Sequence, residues 1–425
     1  MNTPTLVLVE SNTTGTGRQF AQRARAHGVE PVLFAADPGR YPYIATDAVR
    51  TVVVDTTDPE ALEGAVRALA SEVPPAGVLS SSEYFVAAAA ALAARTGLPG
   101  PSAEAVAACR DKPTQRRVLA GAGVPVPGFS TAADVSQAVA AAQRLGLPVV
   151  VKPVRGSGSL GVRLCATRRE VAEHAEVLLA ATTDERGAAV PSRILVESFL
   201  TGREFSVEVF GDRAVAVVAK RIGAPPVFVE TGHDVPAALT ADEEEALTDS
   251  ALRAVAALGL GWGAAHVELR LDGRSARVIE VNPRLAGGMI PELVRRVTGI
   301  DLVGDQVRAA LGLPPGRPAR PEADAAAIRF LIAGRGGVLA DAPGLDAARA
   351  VAARSPGVAD AALYRPPGAP VAPAEDFRGR FGHVITTGAT PDSCALEAET
   401  ARDALLSAVV LAPETALPAV RVVTV

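Results

Sequence analysis

The chain has 425 residues, 48% hydrophobic and 21% charged, with a net charge of −5. That balance excludes wholesale disorder, the length predicts two or three domains, and the acidic sign removes any general attraction to nucleic acid or an acidic membrane. Cys109, Cys165 and Cys394 are too scattered for a metal or disulfide framework. With no basic leader and no apolar span of bilayer length, the expectation is a soluble cytoplasmic protein.

In chain order, the apolar run Thr5 to Val9 opens a strand–helix alternation that returns at residues 31–35, 51–54 and 77–79 and lasts to about residue 108. This predicts a parallel α/β domain. The turn Asn12 to Gly17 lacks the third glycine of a dinucleotide fingerprint, so plain dehydrogenase chemistry is disfavoured. The loops after these strands, Ser80 to Glu83 among them, are expected to line a small-molecule crevice. A helix from near Lys112 leads into the linker GAGVPVPGF, followed by a helix around Val135 to Leu145, the run LPVVVKPV, a glycine-rich turn and a helix around Arg169 to Ala180. ILVESFL, REFSVEVF and AVAVVAK read as antiparallel strands because TG and GDR join them. A helix from about Glu243 to Leu258 precedes HVELRL and ARVIEV, separated by LDGRS. From about Ala325 the chain changes to a tail carrying AAIRFLIA, FGHVITTG and a last helix, with a proline-rich surface excursion at about 352–373. No repeat of solenoid period is present.

Side chains alternate along a strand, so Glu280 and Asn282 share a face while Val281 points into the other layer. Glu268 interrupts the preceding apolar strand, and the LDG turn makes the two strands hairpin neighbours, which can bring Glu268 opposite Glu280 on one face. Two carboxylates that close repel unless a proton or cation separates them. With an amide oxygen beside them they form an all-oxygen set suited to Mg²⁺ or Mn²⁺, completed by phosphate oxygens and water. The competing reading is a solvated sheet face. In VVVKPVRGSGSLGV, Lys152 stands at a strand edge before glycines 156, 158 and 161. Such a loop approaches polyphosphate closely, although lysine precedes the glycines, unlike a Walker loop, and a plain surface hairpin is the alternative.

The order of these pieces resembles the ATP-grasp superfamily of carboxylate–amine ligases, and within it the L-amino-acid ligases that make dipeptides. The matching stretches are DKPTQRRVLAGAGVPVPGF, VVVKPVRGSGSLGV, ILVESFLTGREFSVEVF, FVETGHDVPA, AAHVELR and VIEVNPRLAGG. The resemblance implies an ATP-grasp α/β fold with an amino-terminal parallel α/β domain and an α+β carboxyl-terminal extension. The expected divisions are 1–111 for the amino-terminal domain, 112–195 for the linker and small lobe, 196–324 for the large lobe with the metal site, and 325–425 for the tail.

The resemblance also implies roles. Lys112 and Lys152 contact the ATP triphosphate, covered by Ser157, Gly158 and Ser159. Glu197 accepts the adenine amino group, the backbone of Phe199 and Leu200 reads the adenine edge, and Glu204 binds the ribose. Glu268, Glu280 and Asn282 hold the metal. Arg284 meets the transferred phosphoryl group and the reacting carboxylate, and the backbone of Gly287 and Gly288 holds the substrate carboxylate or its oxyanion. Lys220 assists with phosphate charge, while Glu83, Glu230, His233, Met289 and Arg329 are substrate candidates. The expected partners are a small-molecule carboxylate and amine, amino acids by the resemblance, and a second copy in a homodimer. Rival readings are a biotin carboxylase-like or purine-pathway ligase on the same fold, and a non-catalytic nucleotide-binding protein.

Overall fold

The computed structural model describes residues 3–408, except 14–15, 341–345, 347–349, 351–353 and 355–356. Thr14 and Gly15 of the incomplete fingerprint, and parts of the proline-rich excursion, therefore lie outside the described residues. The chain forms two compact units, one of Met1–Ala219 with Val235–Glu322, the other of Lys220–Asp234 with the chain from Ala323 onward.

The first unit begins with a parallel sheet ordered β3-β2-β1-β4, from β1 (Thr5–Val9), β2 (Glu30–Ala35), β3 (Arg50–Val53) and β4 (Pro75–Leu79). All five residues of β1 are buried, as expected where helices cover both faces of a sheet. Val7, Val9, Val32 and Phe34 pack with Leu62, Val66 and Leu69 of the helix Pro59–Glu72 and with Ala89, Leu92 and Ala93 of the helix Val86–Thr96. The chain leaves β1 for β2 on one side and later adds β4 on the other, so a crevice opens at the carboxyl ends of β1 and β4.

A second, antiparallel sheet has the order β5-β8-β6-β7, from β5 (Phe129–Ala132), β6 (Val149–Pro153), β7 (Arg163–Cys165) and β8 (Ile194–Ser198). The helices Val135–Leu145 and Arg168–Ala180 pack on it through Ala138, Ala142, Val171 and Ala175. A third group of strands runs β13 (Ser275–Asn282), β12 (Ala264–Asp272), β9 (Arg203–Phe210), β10 (Arg213–Ile222). Its apolar face, with Val207, Val267, Leu269, Val278 and Val281, is covered by Leu247, Ala251 and Ala254 of the helix Ala241–Ala257.

The expectation that ILVESFL and REFSVEVF are neighbouring strands is corrected here. β8 pairs with β5 and β6, whereas β9 pairs with β10 and β12. Their apolar residues belong to different cores, Ile194 and Val196 to one and Phe205, Val207 and Val209 to the other, so the short connector crosses between sheets. Gly202 makes this passage at φ 94°, where an added Cβ would lie 2.1 Å from the Leu271 carbonyl oxygen. Only glycine fits there.

The second unit contains β11 (Glu230–Val235), β14 (Ala325–Ile332), the strands Arg380–Gly388 and Val358–Leu363, and the helix Pro391–Ala408. β14 pairs antiparallel with Arg380–Gly388, which pairs in turn with Val358–Leu363. Leu331, Phe381, Val384, Ala401 and Leu405 form its core. The stretch expected to be a surface excursion thus contributes an edge strand, in which every residue of Val358–Leu363 except Ala359 is partly buried beside Arg380–Gly388. Among the described residues, no helix is long and apolar enough to cross a membrane.

Candidate functional site

The β12–β13 hairpin sets Glu268 directly opposite Glu280, with His266 opposite Asn282. The register shifts between Glu268 and Leu269, leaving Ile279 as the extra residue of a bulge. The bulge explains a burial pattern that regular alternation cannot produce: Val278 and Val281, three apart, are both fully buried in the core beneath the helix. Glu280 and Asn282 consequently share the opposite face with Glu268. Both glutamates keep side-chain exposures of 19%, enough to meet a ligand.

Cations surround these carboxylates. Lys112 Nζ lies 3.0 Å from Glu280 Oε1 and donates to the Gly156 carbonyl at 3.0 Å, tying the hairpin to the glycine-rich loop. His266 is buried between Glu208, at 2.8 Å from Nδ1, and Glu268, at 3.3 Å from Nε2. Burial alone would push its imidazole down, but the two carboxylates reverse this and raise it to about 9. The donor set fits a hard divalent cation: two partly exposed carboxylates and one amide on one sheet face, with no thiolate among them, leaving positions for phosphate oxygens and water. Among the described residues, no group of three or more His, Cys, Asp and Glu could hold a metal, so the amide of Asn282 is required for a third protein ligand.

The glycine-rich loop is strongly turned, with Gly156 at φ 137°, Gly158 at 64°, Gly161 at 66° and Ser159, a non-glycine, at 63°. Arg284 reaches this loop through its NH2 group, 3.4 Å from Ser157 Oγ, and its Nε bonds to Glu83 on the loop after β4. Arg110 binds the other oxygen of Glu83. Burial would raise the Glu83 carboxyl, and Arg284, Arg110 and Lys112 more than reverse this, lowering it to about 2. Gly287, Gly288 and Met289 lead into the helix Ile290–Thr298, with Gly288 and Met289 both in the left-handed region, at φ 59° and 62°.

Lys152 and Glu197 come from the paired strands β6 and β8, and their side chains meet at 2.5 Å. Arg116 Nε bonds the other Glu197 oxygen, also at 2.5 Å. Burial would raise the Glu197 carboxyl, and Arg116 and Lys152 hold it lowered instead; burial dominates at Lys152 and lowers its ammonium despite Glu197. In the hinge after β8, Arg270 donates to the Leu200 carbonyl at 2.9 Å, to Glu204 at 2.9 and 3.1 Å, and stacks over Phe199 at 5.2 Å. Phe199, Leu200 and Glu204 are thus held by one guanidinium.

The remaining candidates meet in the second unit. Glu230 pairs with Lys220 at 2.9 Å and Arg380 at 2.8 Å, and His233 Nε2 lies 3.7 Å away. Against burial, Lys220 and Arg380 hold Glu230 well below the usual carboxylate range. Arg329 is buried and bonds Asp234 at 2.6 Å and Glu399 at 3.1 Å.

Several residues of this assembly went unremarked in the sequence. Gln115 and Arg116 lie three and four residues beyond Lys112, on the same helical face. His266, Arg270 and Glu208 stand at alternate strand positions, the pattern that singled out Glu268. The same two periodicities, followed further, would have found all five.

Residues 21–100 match the ATP-grasp N-terminal domain, 145–292 the ATP-grasp domain and 329–410 the L-amino acid ligase C-terminal domain 2. The uncharacterized protein y4rH of Sinorhizobium fredii is 39% identical over 91% of this chain and 79% of its own length. Carnosine synthase 1 of Homo sapiens is 30% identical over 73% of this chain, which spans only 40% of that protein. The crystal structure of L-amino acid ligase from Bacillus licheniformis superposes with a TM-score of 0.77 at 26% identity, covering 94% of this chain and 97% of the other. The biotin carboxylase domain of the Hydrogenobacter thermophilus 2-oxoglutarate carboxylase, crystallised with MgADP, superposes with a TM-score of 0.66 at 18% identity, covering 97% of this chain and 91% of the other. The chain belongs to the ATP-grasp family of ATP-dependent carbon–nitrogen ligases, and its tail carries the L-amino acid ligase type of C-terminal domain.

Proposed function

We propose that the chain joins the carboxylate of one amino acid to the amine of another, through an acyl phosphate. The observation that carries this reading is the link between Glu268–Glu280–Asn282 and the glycine-rich loop through Lys112 and Arg284. ATP supplies the phosphoryl group, and Mg²⁺ held by Glu268, Glu280 and Asn282 neutralises phosphate charge. A carboxylate oxygen attacks the terminal phosphorus and ADP leaves. The amine nitrogen then attacks the acyl carbon, the carbon–oxygen bond to phosphate breaks, and the nitrogen loses a proton.

The physical obstacle is the repulsion between carboxylate and triphosphate. Arg284, beside Ser157 and the Gly287–Gly288 turn, supplies positive charge where phosphoryl and carboxylate meet, and Lys112 and Lys152 cover the triphosphate. Ser157, Gly158 and Ser159 exclude water from the acyl phosphate. Glu197, Phe199, Leu200 and Glu204 hold the nucleoside. Lys220 adds phosphate charge, and Glu83, Glu230, His233, Met289 and Arg329 shape the substrate sites. The division into four segments at about residues 112, 196 and 325 is part of this reading.

The test is phosphate release from ATP and Mg²⁺ across pairs of amino acids, with mass analysis of the product. Release that requires two amino acids, with a condensed product, is expected. Binding of ATP without turnover on any pair would overturn the reading.

A further inference from the structure

Three of the four tyrosines follow the carboxyl ends of β2 and β4, Tyr41 and Tyr84 in the connecting loops and Tyr43 at the start of the short helix Tyr43–Thr46. Tyr41 is anchored from below: its hydroxyl donates to the buried Glu10, whose carboxylate also accepts from Thr56 Oγ1 and the Ala36 N–H, both at 2.9 Å. Arg186 approaches from the segment before β8. It stands in a tight turn in which Asp184 Oδ1 accepts from the N–H groups of Arg186 and Ala188, both at 2.9 Å, while Gly187 adopts φ 84°. Its NH1 lies 3.5 Å from the Tyr41 hydroxyl, and its guanidinium carbon is 5.7 Å from the Tyr84 ring centre and 5.9 Å from that of Phe85.

Two features of this corner call for a ligand. Arg186 is half-buried, and among the described residues no carboxylate pairs with it. Among the described residues, the buried Tyr84 hydroxyl has no hydrogen-bond partner. Both groups donate, and among the described residues the corner presents no free anion to receive them. What complements them is a carboxylate, taken up by a planar guanidinium fork and a phenol. Tyr84 also follows Glu83 directly, and Glu83 bonds Arg284. The corner therefore begins one residue from the carboxylate that bonds the arginine assigned to the transferred group.

The geometry points to a subsite, formed by Arg186 and Tyr84, for a second carboxylate of the amino-acid substrates, one that is not activated. This rests on the ligase reading above. Such a carboxylate has two sources, an acidic side chain or the free α-carboxylate of the amine-bearing amino acid.

Steady-state phosphate release by the full chain separates them. One arm compares aspartate with asparagine and glutamate with glutamine; the other compares a free amino acid with its carboxamide as amine. Wild type should favour the carboxylate in one arm by about tenfold or more in kcat/KM, the scale of one charge-assisted hydrogen bond. Arg186→Ala should abolish that preference through KM, leaving the KM for ATP and the melting temperature unchanged, and Arg186→Lys should restore part of it. Preference in neither arm, or preference that survives Arg186→Ala, overturns the subsite while the ligase reading stands. Absence of product from every pair overturns the ligase reading and the subsite with it.

Discussion

Gln115 lays its side-chain amide against the backbone of Val281 as though it were a neighbouring strand. The Val281 N–H donates to Gln115 Oε1 at 2.9 Å, and Gln115 Nε2 donates to the Val281 carbonyl at 2.8 Å. Val281 separates Glu280 from Asn282, and Gln115 is fully buried. A helix residue thus holds the strand between two proposed metal ligands. Gln115→Ala leaves the Val281 N–H and carbonyl unmet and takes a donor from the buried Cys109 carbonyl as well, and each unmet group costs about 1–3 kcal/mol. The expected result is a loss of about 2–4 kcal/mol in urea unfolding, with a severalfold rise in the Mg²⁺ concentration for half-maximal turnover. Wild-type stability and an unchanged Mg²⁺ requirement would show that the bridge does not hold the strand.

Glu280→Gln removes a charge from the proposed metal set while preserving size. Turnover should fall roughly 10²-fold or more at saturating Mg²⁺, as for loss of a preorganised electrostatic group. Stability should move by only about 1 kcal/mol, since Lys112 retains its bond to the Gly156 carbonyl. Phosphate-release kinetics alongside a melting curve test this. Near-wild-type turnover would remove Glu280 from the site.

Glu83 should make stability depend on acid. Its carboxyl is lowered to about 2 in the fold from an ordinary 4.5. A carboxylate with a depressed folded pKa contributes stability that is complete above the unfolded value and is lost as pH falls toward the folded one. The window here is pH 4.5 down to about 2, and the contribution is on the order of 3 kcal/mol. Glu83→Gln should be less stable than wild type at pH 7, and the difference should shrink as pH drops through that window. Parallel curves for the two proteins would contradict the assignment.

Arg116 is fully buried and bonds both Glu197 and the carbonyl of Ile279, the bulge residue. Arg116→Met leaves Glu197 with Lys152 alone and the Ile279 carbonyl without its guanidinium donor. A loss of about 3 kcal/mol is expected, at the low end for breaking a buried ion pair because Lys152 remains. Arg116→Lys should recover little, because one ammonium lacks the fork that meets two acceptors. Equal stability of the lysine variant and wild type in denaturant titration would show that the second acceptor is unimportant.

Much of the site was legible because strands and helices repeat with fixed periods. Glu268, Glu280 and Asn282 stood out as polar residues at alternate positions of two strands joined by a short turn, but regular pairing outward from Asp272 and Ser275 would set Glu268 opposite Ile279, and it is the bulge that brings Glu280 there. The bulge at Ile279 did not follow, since one extra residue leaves no mark in a run such as RVIEV. Nor did the crossing after β8, because a two-residue connector looks like a hairpin turn until one knows which core each strand fills.

By itself, the sequence determined the class of fold, the order of its elements and the oxygen-rich hairpin, all of which depend on residues near one another in the chain. Only the tertiary structure decided that Gln115 clasps Val281, that Glu83 answers to Arg284, and that Arg186 reaches Tyr41 and Tyr84. The separations are 166, 201 and 145 for the first three of these pairs. Contacts that distant arise from packing whole elements together, and no local period encodes them.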